Sequence, residues 1–199
     1  MIMIKIVDEP TEADLAGLRD RLTRAASDAG LLDVGYTTVD SPVGPLLLAA
    51  TERGLVRIAY AVQDHDRTIA ELAARLSPRV LRAPQRLAAV ARELDEYFAG
   101  RRTDFDLPLD FALTAGFRQE VIRHLPGISY GSTASYRQVA ELAGSPRAFR
   151  AVGTACATNP LPIVLPCHRV IRGDGSLGQY AGGAEAKVAL LALESGSAA

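Results

Sequence analysis

In its 199 residues the chain has no tryptophan, two cysteines and three histidines. Two thiols, Cys156 and Cys167, are too few for a disulfide framework, so a reduced, cytoplasmic protein is the expectation. His65 has no cysteine or histidine neighbour at ligand spacing; no metal site is expected and no cofactor is implied. No apolar run approaches the ~20 residues of a membrane-spanning helix. Residues 1–9 hold one lysine and a short Ile/Met/Val run, without the charged, apolar and cleavage regions of a secretory signal. Charge of one sign is lacking as well, and the net charge of −1 becomes informative only when divided. Up to residue 112 there are 14 Lys/Arg against 18 Asp/Glu; beyond it there are 8 against 5. Five of those eight cations are arginines lying from Arg137 to Arg172. That permits a polyanionic partner for the C-terminal part without requiring one, because an ordinary solvated surface reads the same way.

What is present is 48% hydrophobic residues, enough to fill the core of one large domain or two small ones. Residues 2–7 could form a short strand. Thr11 with Asp14 resembles an N-cap pair, and Leu15, Leu18, Leu22, Ala25 and Ala29 follow at helical spacing. This amphipathic helix should end near Gly30 and press its stripe on a neighbouring domain or a partner. The period then shortens. Residues 35–39, 45–50 and 54–60 read as three strands of an antiparallel meander, broken by turn-rich residues 40–44 and 52–54. Helical patterns cover 67–76 and 84–99, the second with Leu87, Val90, Leu94 and Phe98 on one face. Residues 104–110, interrupted by Pro108, suit an edge strand or a connector. His65 reads as a surface residue.

From Thr114 onward the pattern is mostly helical. Phe117, Val121 and Leu125 share a face, with His124 off it and toward solvent. Ser135 stands at an N-cap position before a short helix over 136–143, with Val139 and Leu142 inward. Gly144-Ser-Pro146 makes a turn, and a second helix over 147–157 carries Arg147 and Arg150. Helix, glycine-containing turn and helix is the helix-turn-helix arrangement, although an ordinary αα-hairpin has the same pattern. Cys156 lies with the small-residue face of that second helix and reads as a packing thiol.

Three prolines, Pro160, Pro162 and Pro166, frame the run before Cys167 and suggest a rigid, extended lead-in to it. His168 follows at once and could serve as base, directly or through a water, with Glu194 or Glu185 to orient the imidazole. Residues 173–183 hold five glycines around Tyr180, a loop whose backbone can approach a ligand closely. A last helix over 184–193 precedes a polar tail.

Taken together, Pro166-Cys-His-Arg-Val170, Asn159-Pro-Leu-Pro162 and Tyr180-Ala-Gly-Gly183 resemble the active-site signature of the O6-alkylguanine-DNA alkyltransferases, or methylated-DNA–protein-cysteine methyltransferases. The likeness extends through Ser135-Tyr-Arg-Gln-Val139 and Arg150-Ala-Val-Gly153 to Phe117, and more faintly to Ser41-Pro-Val-Gly-Pro45 and Tyr97-Phe-Ala-Gly100. It spans roughly residues 34–194. The resemblance implies an α/β (α+β) chain divided as follows: a 1–33 extension, a ribonuclease-H-like domain over 34–112, a DNA-binding and catalytic domain with a winged-helix-like helix-turn-helix over 113–194, and a tail over 195–199.

It also implies roles. Cys167 would take the alkyl group irreversibly, once per molecule, with His168 and Glu194 as the relay that deprotonates it. Tyr136 would crowd the target phosphate and donate toward guanine N3. Arg150 would fill the gap left by the flipped nucleotide, with Arg147 and Arg137 as further DNA contacts. Asn159 would tie the recognition helix to Cys167. The Cys167 and Val170 carbonyls would receive the guanine amino group, and Pro162 and Tyr180 would wall the pocket. The partner would be double-stranded DNA carrying O6-alkylguanine, bound through the minor groove by a protein monomer, with activity on O4-alkylthymine left open. Ser132, Ile122 and Ala181 depart from residues common in the family; none touches the relay, but Ala181 leaves only backbone to contact O6 there. A non-enzymatic lesion binder would lack Cys167, and a thiol hydrolase would need a leaving step and an oxyanion hole that nothing in the sequence supplies.

Overall fold

The computed structural model describes residues 11–196; the strand expected over 2–7 lies outside them. Helix α1 (Glu12–Asp28) starts at a complete capping box, in which Thr11 Oγ1 accepts from Asp14 N–H and the Asp14 carboxylate accepts from Thr11 N–H. Its contact face differs from the expected leucine stripe. Leu18 and Leu22 are half exposed or more, and Ala26 is the buried position, grouped with Leu32 and Ala83. The Thr23 hydroxyl completes the contact by donating to the Arg82 carbonyl at 2.8 Å. A polar anchor and one alanine thus decide which side packs.

Strands β1 (Val34–Val39), β2 (Leu46–Thr51) and β3 (Gly54–Tyr60) form the expected antiparallel meander. A fourth strand, β4 (Val80–Arg82), joins β1 in parallel after helix α2 (His65–Arg75), giving the order β3-β2-β1-β4. Three residues are too few for a periodic signal, which is why the sequence pattern shows three strands only. Buried on both faces, β2 is the sheet's centre. Leu46, Leu48 and Ala50 belong to the main core with Leu87 and Tyr97, whereas Ala49 packs with Val34, Val56 and Leu72 of α2. A 3-10 turn, Pro84–Leu87, leads into α3 (Ala88–Phe98), and Val90, Leu94 and Tyr97 face inward. Residues 104–110 act as a connector, touching the sheet by a parallel bridge from Leu109 to Leu55 and by the Asp110 carboxylate, which accepts from the Thr51 hydroxyl at 2.6 Å.

Helix α4 (Gly116–His124) buries Val121 and Ile122; His124 faces outward and meets Glu120 at 3.1 Å. Ser135 caps α5 (Tyr136–Leu142) through a second capping box. Val139 and Ala140 are buried, but Leu142 is 56% exposed, against expectation, because Ala140 takes the inward place. Gly144 adopts a positive φ that ends the helix, and α6 (Phe149–Ala157) follows. Arg147 sits in the turn ahead of α6 instead of on it. The Val152, Ala155 and Cys156 face of α6 packs inward as expected. Helix α7 (Gly183–Glu194) closes the fold.

The edge strand β3 meets the C-terminal part directly: Ile58 N–H donates to the Pro160 carbonyl at 2.8 Å. One continuous apolar cluster runs from β2 and α3 through α4 and α6 to Cys167. Cys167 therefore sits at the seam of the two halves.

Candidate active site

Cys167, His168 and Arg169 form one 3-10 turn followed by the short strand β6 (Val170–Ile171), paired with β5 (Ala134–Ser135). The thiol is 1% exposed and His168 is fully buried. The lead-in is not the extended rod expected from its prolines. Residues 160–165 curl, with Ile163 at φ 73° and Leu165 N–H donating to the Leu161 carbonyl at 2.8 Å. A fixed proline φ suits a turn as well as a rod, and the buried amide of Asn159 selects the turn. Its Oδ1 accepts from Leu161 N–H at 3.0 Å, while Nδ2 donates to the Leu165 carbonyl at 2.8 Å and to Cys167 Sγ at 3.2 Å. One side chain just beyond the end of α6 thus holds both the turn and the thiol.

His168 Nε2 lies 2.7 Å from Glu194 Oε1. The Glu194 carboxylate also accepts from Tyr97 Oη at 2.7 Å, Arg169 Nε at 2.8 Å, Arg169 Nη2 at 3.0 Å and Gly131 N–H at 3.3 Å. Burial pushes its pKa up, but the His168 and Arg169 hydrogen bonds outweigh that and hold it at about 2. An ionised carboxylate only accepts, so Nε2 carries the proton and Nδ1 is a bare lone pair. Burial lowers the His168 pKa, which keeps the ring neutral, and Nδ1 is buried with no protein partner. Burial raises the Cys167 thiol to about 11, against the lowering pull of the Asn159 hydrogen bond and the nearby Lys187 charge. The resting group is a thiol beside a neutral base. Glu185, the other carboxylate considered for the imidazole, is exposed at the first turn of α7 and plays no part here.

Tyr180 stands over this centre, its ring 6.3 Å from that of His168 and nearly perpendicular to it. Its hydroxyl meets that of Tyr60. Tyr136 stands in a groove of about 620 Å³, lined by Ser135, Arg137, Phe149, Gly153 and Arg172. A side chain at Gly178 would collide with the Tyr136 hydroxyl, so glycine there is what lets the loop close on the groove. Arg137 is exposed at the groove and Arg150 is exposed beside the Phe149 ring, whereas Arg147 lines a separate depression with Ser145, Pro146 and Ala148. Pro162 is buried in the turn before Cys167.

Four residues of the site escaped the sequence reading. Tyr97 and Arg169 hold Glu194. Tyr60 meets Tyr180. Lys187 is completely buried and donates through Nζ to the Val170 carbonyl at 2.6 Å and to the Leu177 carbonyl, tying β6 to the glycine loop. Lys187 alone had a usable signal, as the single charge in the otherwise apolar run 186–193. Among the described residues no group of three or more His, Cys, Asp or Glu side chains is placed to hold a metal ion.

A helix-turn-helix with a groove bearing Arg137 and Arg172, together with a buried thiol and an imidazole–carboxylate pair, fits a DNA-binding protein that works through a thiol. Comparison with known proteins agrees. Residues 116–196 match the DNA-binding domain of 6-O-methylguanine DNA methyltransferase, and residues 34–111 match its ribonuclease-like domain. The methylated-DNA–protein-cysteine methyltransferase of Mycolicibacterium paratuberculosis is 40% identical over 161 residues, 81% of this chain and 92% of that protein. The constitutive enzyme of that name from Bacillus subtilis is 39% identical over 163 residues, 80% of this chain and 94% of its own. A crystal structure of Mycobacterium tuberculosis OGT in complex with DNA superposes with a TM-score of 0.71 at 39% identity, covering 82% of this chain and 94% of that one. The chain belongs to the 6-O-methylguanine DNA methyltransferase family.

Proposed function

We propose that Cys167 is the acceptor in a single, irreversible transfer of an alkyl group from O6 of guanine in DNA. As a family member the chain is a methylated-DNA–protein-cysteine methyltransferase and a DNA-repair protein. The observation that carries it is the bare, buried Nδ1 of His168, directly after a thiol held by Asn159.

In the step itself the thiol proton passes through an intervening water to Nδ1. Glu194, already ionised, stabilises the imidazolium that results. The Cys167 sulfur attacks the alkyl carbon; the S–C bond forms as the C–O6 bond breaks, and guanine takes the electron pair. Tyr136 supplies a proton toward N3 of the departing base. Nothing then removes the thioether, so each molecule reacts once.

For O6 to reach a buried sulfur, the nucleotide must leave the duplex stack. Arg150 fills its place, Arg137 and Arg147 hold the DNA, and α6 enters the minor groove of double-stranded DNA. The Cys167 and Val170 carbonyls receive the guanine amino group; Pro162 and Tyr180 bound the pocket. The protein acts as a monomer in the cytoplasm, with residues 34–112 as one domain and 113–194 as the DNA-binding and catalytic one. No described helix is long and apolar enough to cross a membrane.

Intact-mass measurement after incubation with an O6-methylguanine duplex tests the reading. The expected result is a stoichiometric gain of one methyl that Cys167→Ala abolishes. Binding without a mass change overturns it.

A further inference from the structure

Phe149 opens α6 immediately before Arg150, and its side chain is turned outward, 41% exposed. The neighbouring inward positions of the helix are Val152, Ala155 and Cys156, so the core has no use for the ring. Two guanidinium groups approach it from different helices: Arg137 of α5 at 6.0 Å from the ring centroid and Arg150 of α6 at 5.9 Å. The ring also lines the groove that holds Tyr136 and Gly153. An aromatic face kept in water costs free energy that burial would recover. A ring embedded in cations nevertheless matches one kind of partner well, because the cations can take phosphates while the ring takes the face of a base.

We propose that Phe149 is a stacking wedge. On the duplex its ring takes the stacking contact of the base step beside the extruded nucleotide, while Arg150 occupies the vacated position. Apolar side chains inserted from the minor groove part base steps in this way, and the unstacking they share lowers the cost of extrusion. The Arg137 guanidinium holds the ring at the groove and brings it down on the phosphates, which leaves Arg150 free to enter the stack. The inference rests on the alkyl-transfer reading above, and it names a contact that the flipped state requires.

The test compares alkylation of Cys167 by an O6-methylguanine duplex with alkylation by free O6-benzylguanine, for the wild type and for Phe149→Ala, Phe149→Leu and Phe149→Trp. Base–aromatic stacking predicts that Phe149→Ala slows duplex repair about tenfold. The free-base rate stays unchanged, which also shows that the fold and the thiol are intact. Phe149→Trp restores the duplex rate, and Phe149→Leu, apolar but without a π-face, does not. Equal duplex rates for wild type and Phe149→Ala overturn the wedge, as does full rescue by leucine or an equal loss on both substrates. If the alkyl-transfer reading itself is wrong, the wild type shows no mass gain at Cys167 with either substrate, a result separable from failure of the wedge alone.

Discussion

The hydroxyls of Tyr60 and Tyr180 lie 2.7 Å apart, joining the last residue of β3 to the glycine loop of the C-terminal half. Their rings meet edge to face at 5.6 Å, and Gly182 is pressed so closely on the Tyr60 ring that a Cβ there would clash. The loop that covers the thiol is thereby pinned to the sheet of the other half. Tyr60→Phe keeps the ring packing and removes one hydroxyl. It should lower unfolding free energy by about 1 kcal/mol and raise protease cleavage within 173–183. Urea unfolding and limited proteolysis read both effects.

Asn159 is the second joint. Asn159→Ala removes one acceptor and two donated bonds, including the bond to Cys167 Sγ; it leaves Leu161 N–H buried without a partner, while the Leu165 carbonyl keeps only the Cys167 N–H donor. A loss of about 1–3 kcal/mol in stability is expected from the one orphaned N–H. Because that hydrogen bond lowers the thiol pKa, alkylation by free O6-benzylguanine should also slow. A normal rate in the folded fraction would contradict the geometry.

His168→Gln removes the proton acceptor. With the thiol at about 11, little thiolate exists at neutral pH without it. Alkylation at pH 7 should fall about 10²-fold or more, the usual contribution of a positioned base. The sign of the pH effect follows: thiolate increases as pH rises toward about 11, so the deficit should shrink steadily over alkaline pH. A pH-independent deficit would mean the ring only fills space.

Glu194 makes a stability prediction. Its folded pKa, about 2, lies below the ordinary 4.5, so its contribution is present in full above about 4.5 and is lost as pH falls toward about 2. The magnitude is on the order of 3 kcal/mol. Glu194→Gln should abolish that acid-side slope. It should also destabilise at neutral pH by about 3–5 kcal/mol, because Arg169 is then a buried charge without its partner. Unfolding free energy measured between pH 5 and pH 2 for both proteins checks it (roughly the window set by the two pKa values).

Arg150→Ala should slow repair of duplex DNA far more than reaction with free O6-benzylguanine, since only the duplex demands extrusion. Parallel alkylation time courses on the two substrates decide. Equal losses on both would remove Arg150 from the extrusion step.

Features under the control of short-range chemistry were legible before any folding was considered. The capping boxes at Thr11 and Ser135, the meander and its turns, and the nucleophile context of Cys167 with His168 are all written within a few residues of one another. Packing choices were not legible there. A leucine stripe in α1 lost to Ala26 and Thr23, and Leu142 lost to Ala140, because which side of a helix is buried depends on what lies opposite. The curled approach to Cys167 was hidden for the same reason: prolines allow rod or turn, and only the folded position of Asn159 chooses. Tyr97, Arg169, Lys187 and Tyr60 complete the site through contacts from distant parts of the chain or through burial that no local pattern encodes. The identity of the thiol was local information; its protonation, and that of the imidazole and carboxylate around it, comes from desolvation and opposing charges that exist only once the chain has folded.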